Sequence, residues 1–172
     1  MAVDEHGAIR YVTAFGETDA PEGWRVNKLK DGVLIDVQTG NVVVRGLAMP
    51  HSPRIHNGKL YLLSSATEEL VTVDVRTGVA ESIIKLDGFL RGLCFRGDYA
   101  FVGTSKLRKT HTFGDLPIAN KRISAGVHVV NLRDCSKFGS IHYQDDLSEI
   151  YDLQVLTGAR RPNTLNLPMS DQ

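Results

Sequence analysis

GVLIDVQTG (residues 32–40) is written a second time, with few changes, as ELVTVDVRTG (residues 69–78). Aligned on their aspartates, Asp36 matches Asp74, Thr39 matches Thr77 and Gly40 matches Gly78, each pair 38 residues apart. A register shared by three turn-type residues speaks of a repeated structural unit rather than of a shared composition. A third, degraded copy, GVHVVNLRDC (126–135), puts Asn131 where the Asp stood. It lies 57 residues after Asp74, which is one period plus an insertion of 19, and the insertion is KLRKTHTFGDLPIANKRIS, residues 106–124.

A second line repeats out of phase with the first. IHNGKLYLLSS (55–65) and FRGDYAFVGTS (95–105) each carry a turn glycine before an alternating apolar stretch, with Gly58 and Gly97 39 residues apart, and EHGAIRYVTAF (5–15) opens in the same style. Alternation bounded by Gly, Asn, Asp and Thr predicts half-buried strands joined by hairpins. Thr77 and Gly78 supply one reversal, since glycine accepts the positive φ of a tight turn. Ile83, Leu86, Leu90 and Leu93 fall at helical spacing. Asp87-Gly88 and Gly92 interrupt that pattern, each glycine costing about 1 kcal/mol in a helix, so the segment is read as strand.

Small all-β units repeating at this period predict β-propeller-like blades of four antiparallel strands, because one such sheet cannot shield its own faces and gains a core only by stacking. The blades are placed near residues 7–48, 51–87 and 90–144, with the start of another at 147–156 and a C-terminal tail at 159–172. Setting aside the insertion of 19 and one of about 13 near residues 17–30 leaves about three to four blades, fewer than most propellers need to close. The expectation is an incomplete propeller whose exposed end blades favour self-association.

The 172 residues are 42% hydrophobic and 23% charged, with twenty basic and twenty acidic side chains, the composition of an ordinary globular domain without a strong overall field. Nucleic acid and membrane are therefore not expected as partners. No apolar run reaches the roughly 18 residues of a spanning helix, and MAVDEHGAIR carries acids where a leader would be basic and apolar, which gives a cytoplasmic expectation. Cys94 and Cys135 have no CxxC spacing, so neither a disulfide framework nor a zinc site is expected, and Cys94 is read as a small core residue. The sequence carries no GxSxG, HExxH, P-loop or GxGxxG motif, and no cofactor is expected.

GLAMPHSPRIHNGKLYLLSS, GFLRGLCFRGDYAFVGTSK and EIYDLQVLTGARRP, in that order and preceded by YVTAFGETDAPEGWRVNKLKDGVLIDV, resemble a family of uncharacterised, mainly bacterial proteins, a domain of unknown function with propeller-like repeats. The resemblance runs from about residue 9 to 162. It implies the propeller fold, and because members of the family are longer it matches this chain to their C-terminal half. It implies no reaction and no ligand.

In a propeller the innermost strand of each blade lines the axis. PHSPR (50–54), FLRGL (89–93) and EIYDLQV (149–155) are expected at equivalent inner positions, with EGWRVNK (22–28) as a loop near the same mouth. His51, Arg54, Arg91, Glu149, Tyr151 and Asp152 are polar residues where repeats converge. One reading is that they satisfy one another around a watered channel. The functional reading is a pocket for a small anionic ligand or a partner segment, with Arg54 and Arg91 gripping the anion.

The alternative is an enzyme acting on a sugar-like or acidic small molecule, with Glu149, Asp152 and His51 in acid–base roles. Metal has little support, because Glu149, Asp152 and Asn27 fall short of the six to eight oxygens calcium prefers. Trp24, beside Arg25, either plugs a gap between blades or stacks on a ligand. Lys106, Arg108, Lys109, Lys121 and Arg122 make the long insertion basic, but it lacks the interleaved aromatics of a base-stacking surface and reads as a solvated loop.

Overall fold

The computed structural model describes residues 1–108, 110, 112–144 and 147–160. Among these residues twelve strands form three antiparallel sheets of four, each in chain order. Sheet 1 holds β1 (Ala2–Val3), β2 (Ile9–Ala14), β3 (Gly32–Asp36) and β4 (Val42–Leu47). Sheet 2 holds β5 (Pro50–His56), β6 (Lys59–Ser64), β7 (Glu69–Asp74) and β8 (Val79–Lys85). Sheet 3 holds β9 (Phe89–Arg96), β10 (Tyr99–Ser105), β11 (Gly126–Asn131) and β12 (Ser136–His142). The described residues are nearly all β and close no barrel, an architecture consistent with an incomplete propeller. Residues 80–95, whose leucine spacing also suited a helix, are β8, a turn and β9. Most of the tail placed at 159–172 lies outside the described residues.

The repeated Asp is a turn residue. Asp36 Oδ1 accepts the Gln38 amide at 2.9 Å and Asp74 Oδ1 accepts the Arg76 amide at 2.9 Å, while Gly40 and Gly78 donate back to the carbonyls of Asp36 and Asp74. Asn131 Oδ1 accepts the Arg133 amide at 3.1 Å, so an amide oxygen serves as well as a carboxylate, which explains the Asp-to-Asn change in the third copy. Gly40 and Gly78 sit at φ 71° and 72°, and Cys135 occupies the same left-handed position at φ 56°. There the third copy keeps the turn without the residue that adopts it most easily.

The middle of sheet 2 is buried on both faces. Along β6, Leu60 and Leu62 point to sheet 1 and join Ala2, Tyr11, Leu34 and Val44, with Val71 and Val73 beside them. Tyr61 and Leu63 point the other way, to Leu90, Leu93, Val102 and Val130 of sheet 3. This is the period-2 logic of a strand with two apolar neighbours. Gly32 of sheet 1 stands tight against sheet 2, where an added Cβ would lie 2.5 Å from Pro50 Cδ at the start of β5. The outermost strands β8 and β12 are largely exposed, and Phe138 and Ile141 of β12 are open to solvent.

A third core lies at one end of the stack, where Ala48, Met49, Ala66 and Phe89 meet Leu116 and Ile118 of the long insertion. The 106–124 segment, expected as a solvated loop, is instead pinned by this apolar contact and by two ion pairs. Lys28 of the shorter insertion, itself buried, reaches Asp115 at 2.7 Å, and Lys121 reaches the buried Glu68. Cys94, expected in the core, is half-buried, and Cys135 is exposed.

Leu62→Ala and Leu93→Ala remove fully buried side chains from the two sheet seams. Each is expected to lower the unfolding free energy in urea by about 2–5 kcal/mol. Because Leu62 packs in the seam between sheets 1 and 2 and Leu93 in the seam between sheets 2 and 3, the double variant is expected to show the sum of the two losses to within about 0.5 kcal/mol.

Candidate functional site

The inner strands position the site. β5 lies beside β9 and β1 at the centre of the array. Residues 149–155 make no ladder, unlike β5 and β9, and run as an irregular connection held to the end of β10. The Ile150 amide donates to Ser105 Oγ at 2.8 Å and the Lys106 amide donates to the Ser148 carbonyl at 2.8 Å. Two glycines admit the segment: a Cβ on Gly103 would stand 2.9 Å from Ile150 Cγ2, and one on Gly92, at φ 84°, would stand 3.0 Å from the Asp152 backbone.

A cavity of about 270 Å³ opens between the inner strands and the two insertions. Its wall is a chain of rings. Trp24 packs on Phe15 at 5.0 Å, Phe15 on His51 at 5.1 Å, His51 on Phe89 at 5.5 Å and Phe89 on Phe113 at 5.8 Å. Met49 and Leu107 add aliphatic surface, and Arg91, Lys106, Arg108 and Glu149 supply the charge. A shallower cleft on the far side of His51 and Arg91 is lined by Arg54, Tyr151 and Asp152.

His51 is held in one tautomer. Its Nδ1 lies 3.0 Å from the Met49 carbonyl and 2.8 Å from Ser65 Oγ, and Ser65 Oγ donates its own hydrogen to the Leu90 carbonyl at 2.6 Å. With that hydrogen used and a carbonyl able only to accept, the proton belongs on Nδ1 and the lone pair on Nε2. Burial pushes the imidazole pKa down to about 4, against the Met49 hydrogen bond and with the help of the nearby Arg91 charge. The ring is therefore neutral at physiological pH.

Both carboxylates of the expected set are occupied. Arg108 grips Glu149 through Nε at 2.5 Å and through a terminal nitrogen at 2.7 Å, and also reaches the Tyr151 hydroxyl at 2.9 Å. Those Arg108 hydrogen bonds hold the Glu149 pKa down to about 2. Arg54 donates to both oxygens of Asp152 at 2.9 Å. Arg91 differs from these two arginines: its guanidinium lies over the Tyr151 ring at 4.2 Å, and among the described residues it forms no ion pair with a carboxylate. Lys106 likewise has no carboxylate partner among them.

A family model described as a domain of unknown function, DUF4915, matches residues 1–165. The chain belongs to this family. No curated protein matches the chain. The DUF4915 description names no ligand or reaction, so chemistry has to be read from the site itself.

Of the eight residues singled out in the sequence, Trp24, His51, Arg91 and Glu149 line the cavity, while Arg54, Tyr151 and Asp152 line the adjoining cleft. Arg25 lies outside both; it pairs with Glu22 at 2.5 Å and covers the Trp24 ring at 5.7 Å. Phe15, Phe89 and Phe113 were not anticipated. Phe113 sits in the insertion, outside the repeat, and Phe15 closes a copy whose two counterparts end on Ser65 and Ser105, so alignment gives no sign of a ring at either place. Lys109 of the basic cluster lies outside the described residues. Among the described residues no three of His, Cys, Asp and Glu gather as a ligand set for a metal ion, and no helix is long and apolar enough to cross a membrane.

Two measurements check this electrostatic picture. Nitrogen-detected NMR is expected to find His51 as the Nδ1–H tautomer, neutral down to about pH 4. The depressed Glu149 pKa means that its pairing contributes stability above the ordinary value of 4.5 and loses that contribution as pH falls toward 2. Glu149→Gln is therefore expected to flatten the melting temperature against pH over that window relative to the parent protein.

Proposed function

We propose that the protein is a propeller-type binding module that holds a small anionic ligand, or an anionic partner segment, in the ring-lined cavity beside the inner strands. The observation that supports this reading is the contrast among the cations. Arg54 and Arg108 are each committed to a carboxylate, whereas Arg91 and Lys106 face the cavity with no such partner among the described residues. A guanidinium in that state is a ready donor to a carboxylate or phosphate group.

The alternative, an enzyme using Glu149, Asp152 and His51 as acid and base, has less behind it. Glu149 stays ionised through the neutral range, where a general acid would need a raised pKa, and both carboxylates are locked to arginines. A neutral His51 of low basicity serves better as a hydrogen-bond acceptor than as a proton shuttle.

Titration calorimetry against small carboxylates and phosphates is expected to detect binding that Arg91→Ala weakens about tenfold to a hundredfold, the value of a charge-assisted hydrogen bond. Arg76→Ala, an exposed turn residue, is expected to leave it unchanged. Binding indifferent to Arg91→Ala, or none across the panel, counts against the reading.

A further inference from the structure

The cavity has a composition that narrows the ligand further, resting on the reading of it as an anion site. Its interior surface is mostly apolar: Phe15, Trp24, Phe89 and Phe113 present ring carbon, and Met49 and Leu107 close the gaps between them. At about 270 Å³ it lies just below the roughly 300–1,000 Å³ of ordinary small-molecule sites, room for a compact molecule. An inorganic phosphate or a polycarboxylate would meet this wall with charge that the rings cannot solvate.

A purely cationic guest, which aromatic walls often favour, would sit among Arg91, Lys106 and Arg108. With Arg108 committed to Glu149, Arg91 and Lys106 are left to share one carboxylate between its two oxygens, and the apolar surface elsewhere suits a flat body that stacks on the rings. Another polar feature of the lining is His51, whose Nε2 lone pair, fixed as an acceptor by the Nδ1 contacts to Met49 and Ser65, makes no hydrogen bond among the described residues. An acceptor left without a donor in a largely apolar site selects for a guest that brings one.

We infer that the site takes a compact aromatic monocarboxylate bearing a hydroxyl or similar donor, its ring against the Phe15–His51–Phe89 wall, its carboxylate on Arg91 and its donor on His51 Nε2. The three contacts assign separate tasks. Stacking provides most of the buried area, Arg91 fixes the orientation, and His51 separates hydroxylated from plain aromatic acids.

Calorimetry with 3- and 4-hydroxyphenylacetate, phenylacetate, acetate, citrate and 4-methylphenol tests the assignment. One of the hydroxylated acids is expected to bind at least tenfold more tightly than acetate or citrate and several-fold more tightly than phenylacetate. Arg91→Ala is expected to weaken it at least tenfold, and His51→Phe to remove the preference for the hydroxyl while phenylacetate still binds. Should His51→Phe fail to fold, the parent protein gives the same answer: the Nε2 nitrogen resonance of His51 is expected to shift with the hydroxylated acid and not with phenylacetate.

Arg91-dependent binding of citrate or acetate as tight as that of the aromatic acids overturns the ligand class but leaves the anion site standing. Binding of 4-methylphenol as tight as that of the acids, or no Arg91-dependent binding of any acid, overturns both. Equal affinity for hydroxylated and plain acids, with no His51 response, overturns the donor assignment and with it the class proposed.

Discussion

Everything in this molecule depends on the middle of sheet 2 having no solvent face. A single four-stranded sheet with alternating side chains buries one face at best, and a strand such as β6, apolar at Leu60, Tyr61, Leu62 and Leu63 in succession, is stable only between two neighbours. Sheets 1 and 3 supply those neighbours. Each donates one apolar face inward, and the stack they form brings the inner strands β5 and β9 side by side. The floor of the cavity follows from that stacking, because His51 and Arg91 are carried on the two strands that the stack brings together.

The two excursions from the repeat complete what the sheets begin. A propeller blade needs only short turns, so an insertion must find its own burial or remain loose. Here the two insertions meet each other: Lys28 crosses to Asp115, and Leu116 and Ile118 sink against Met49 and Phe89. The buried Glu68, which also accepts the Gly88 amide at 3.0 Å, ties Lys121 to the seam between sheets 2 and 3. Burying a carboxylate is expensive unless its oxygens are satisfied, and Glu68 has a partner on each.

The sheets were legible in the sequence because their determinants are local. An Asp or Asn at a fixed offset makes the turn, a glycine four residues on reverses the chain, and period-2 alternation sets the face. Asn131 and Cys135 show how far the turn can drift while keeping its backbone. The inner-strand polar residues were legible for the same reason, as exceptions to alternation in register. Phe15 and Phe113 were not, since they owe their position to packing between segments 98 residues apart in the chain, which no repeat predicts. Arg108 read as one cation in a basic loop, yet it neutralises Glu149, a pairing visible only once the loop folds back. The 149–155 segment kept its place beside β9 but formed no ladder, held instead by Ser105 and by the gaps at Gly92 and Gly103.

The exposed β8 and β12 share no side chain with the ring-lined cavity, and at least one whole strand of their own sheet stands between each of them and it. Substitution on that outer rim and substitution around His51 are consequently independent experiments for evolution. The rim is free to drift toward whatever surroundings the molecule meets, without retuning recognition at the axis, and the axis can change its guest without disturbing the rim.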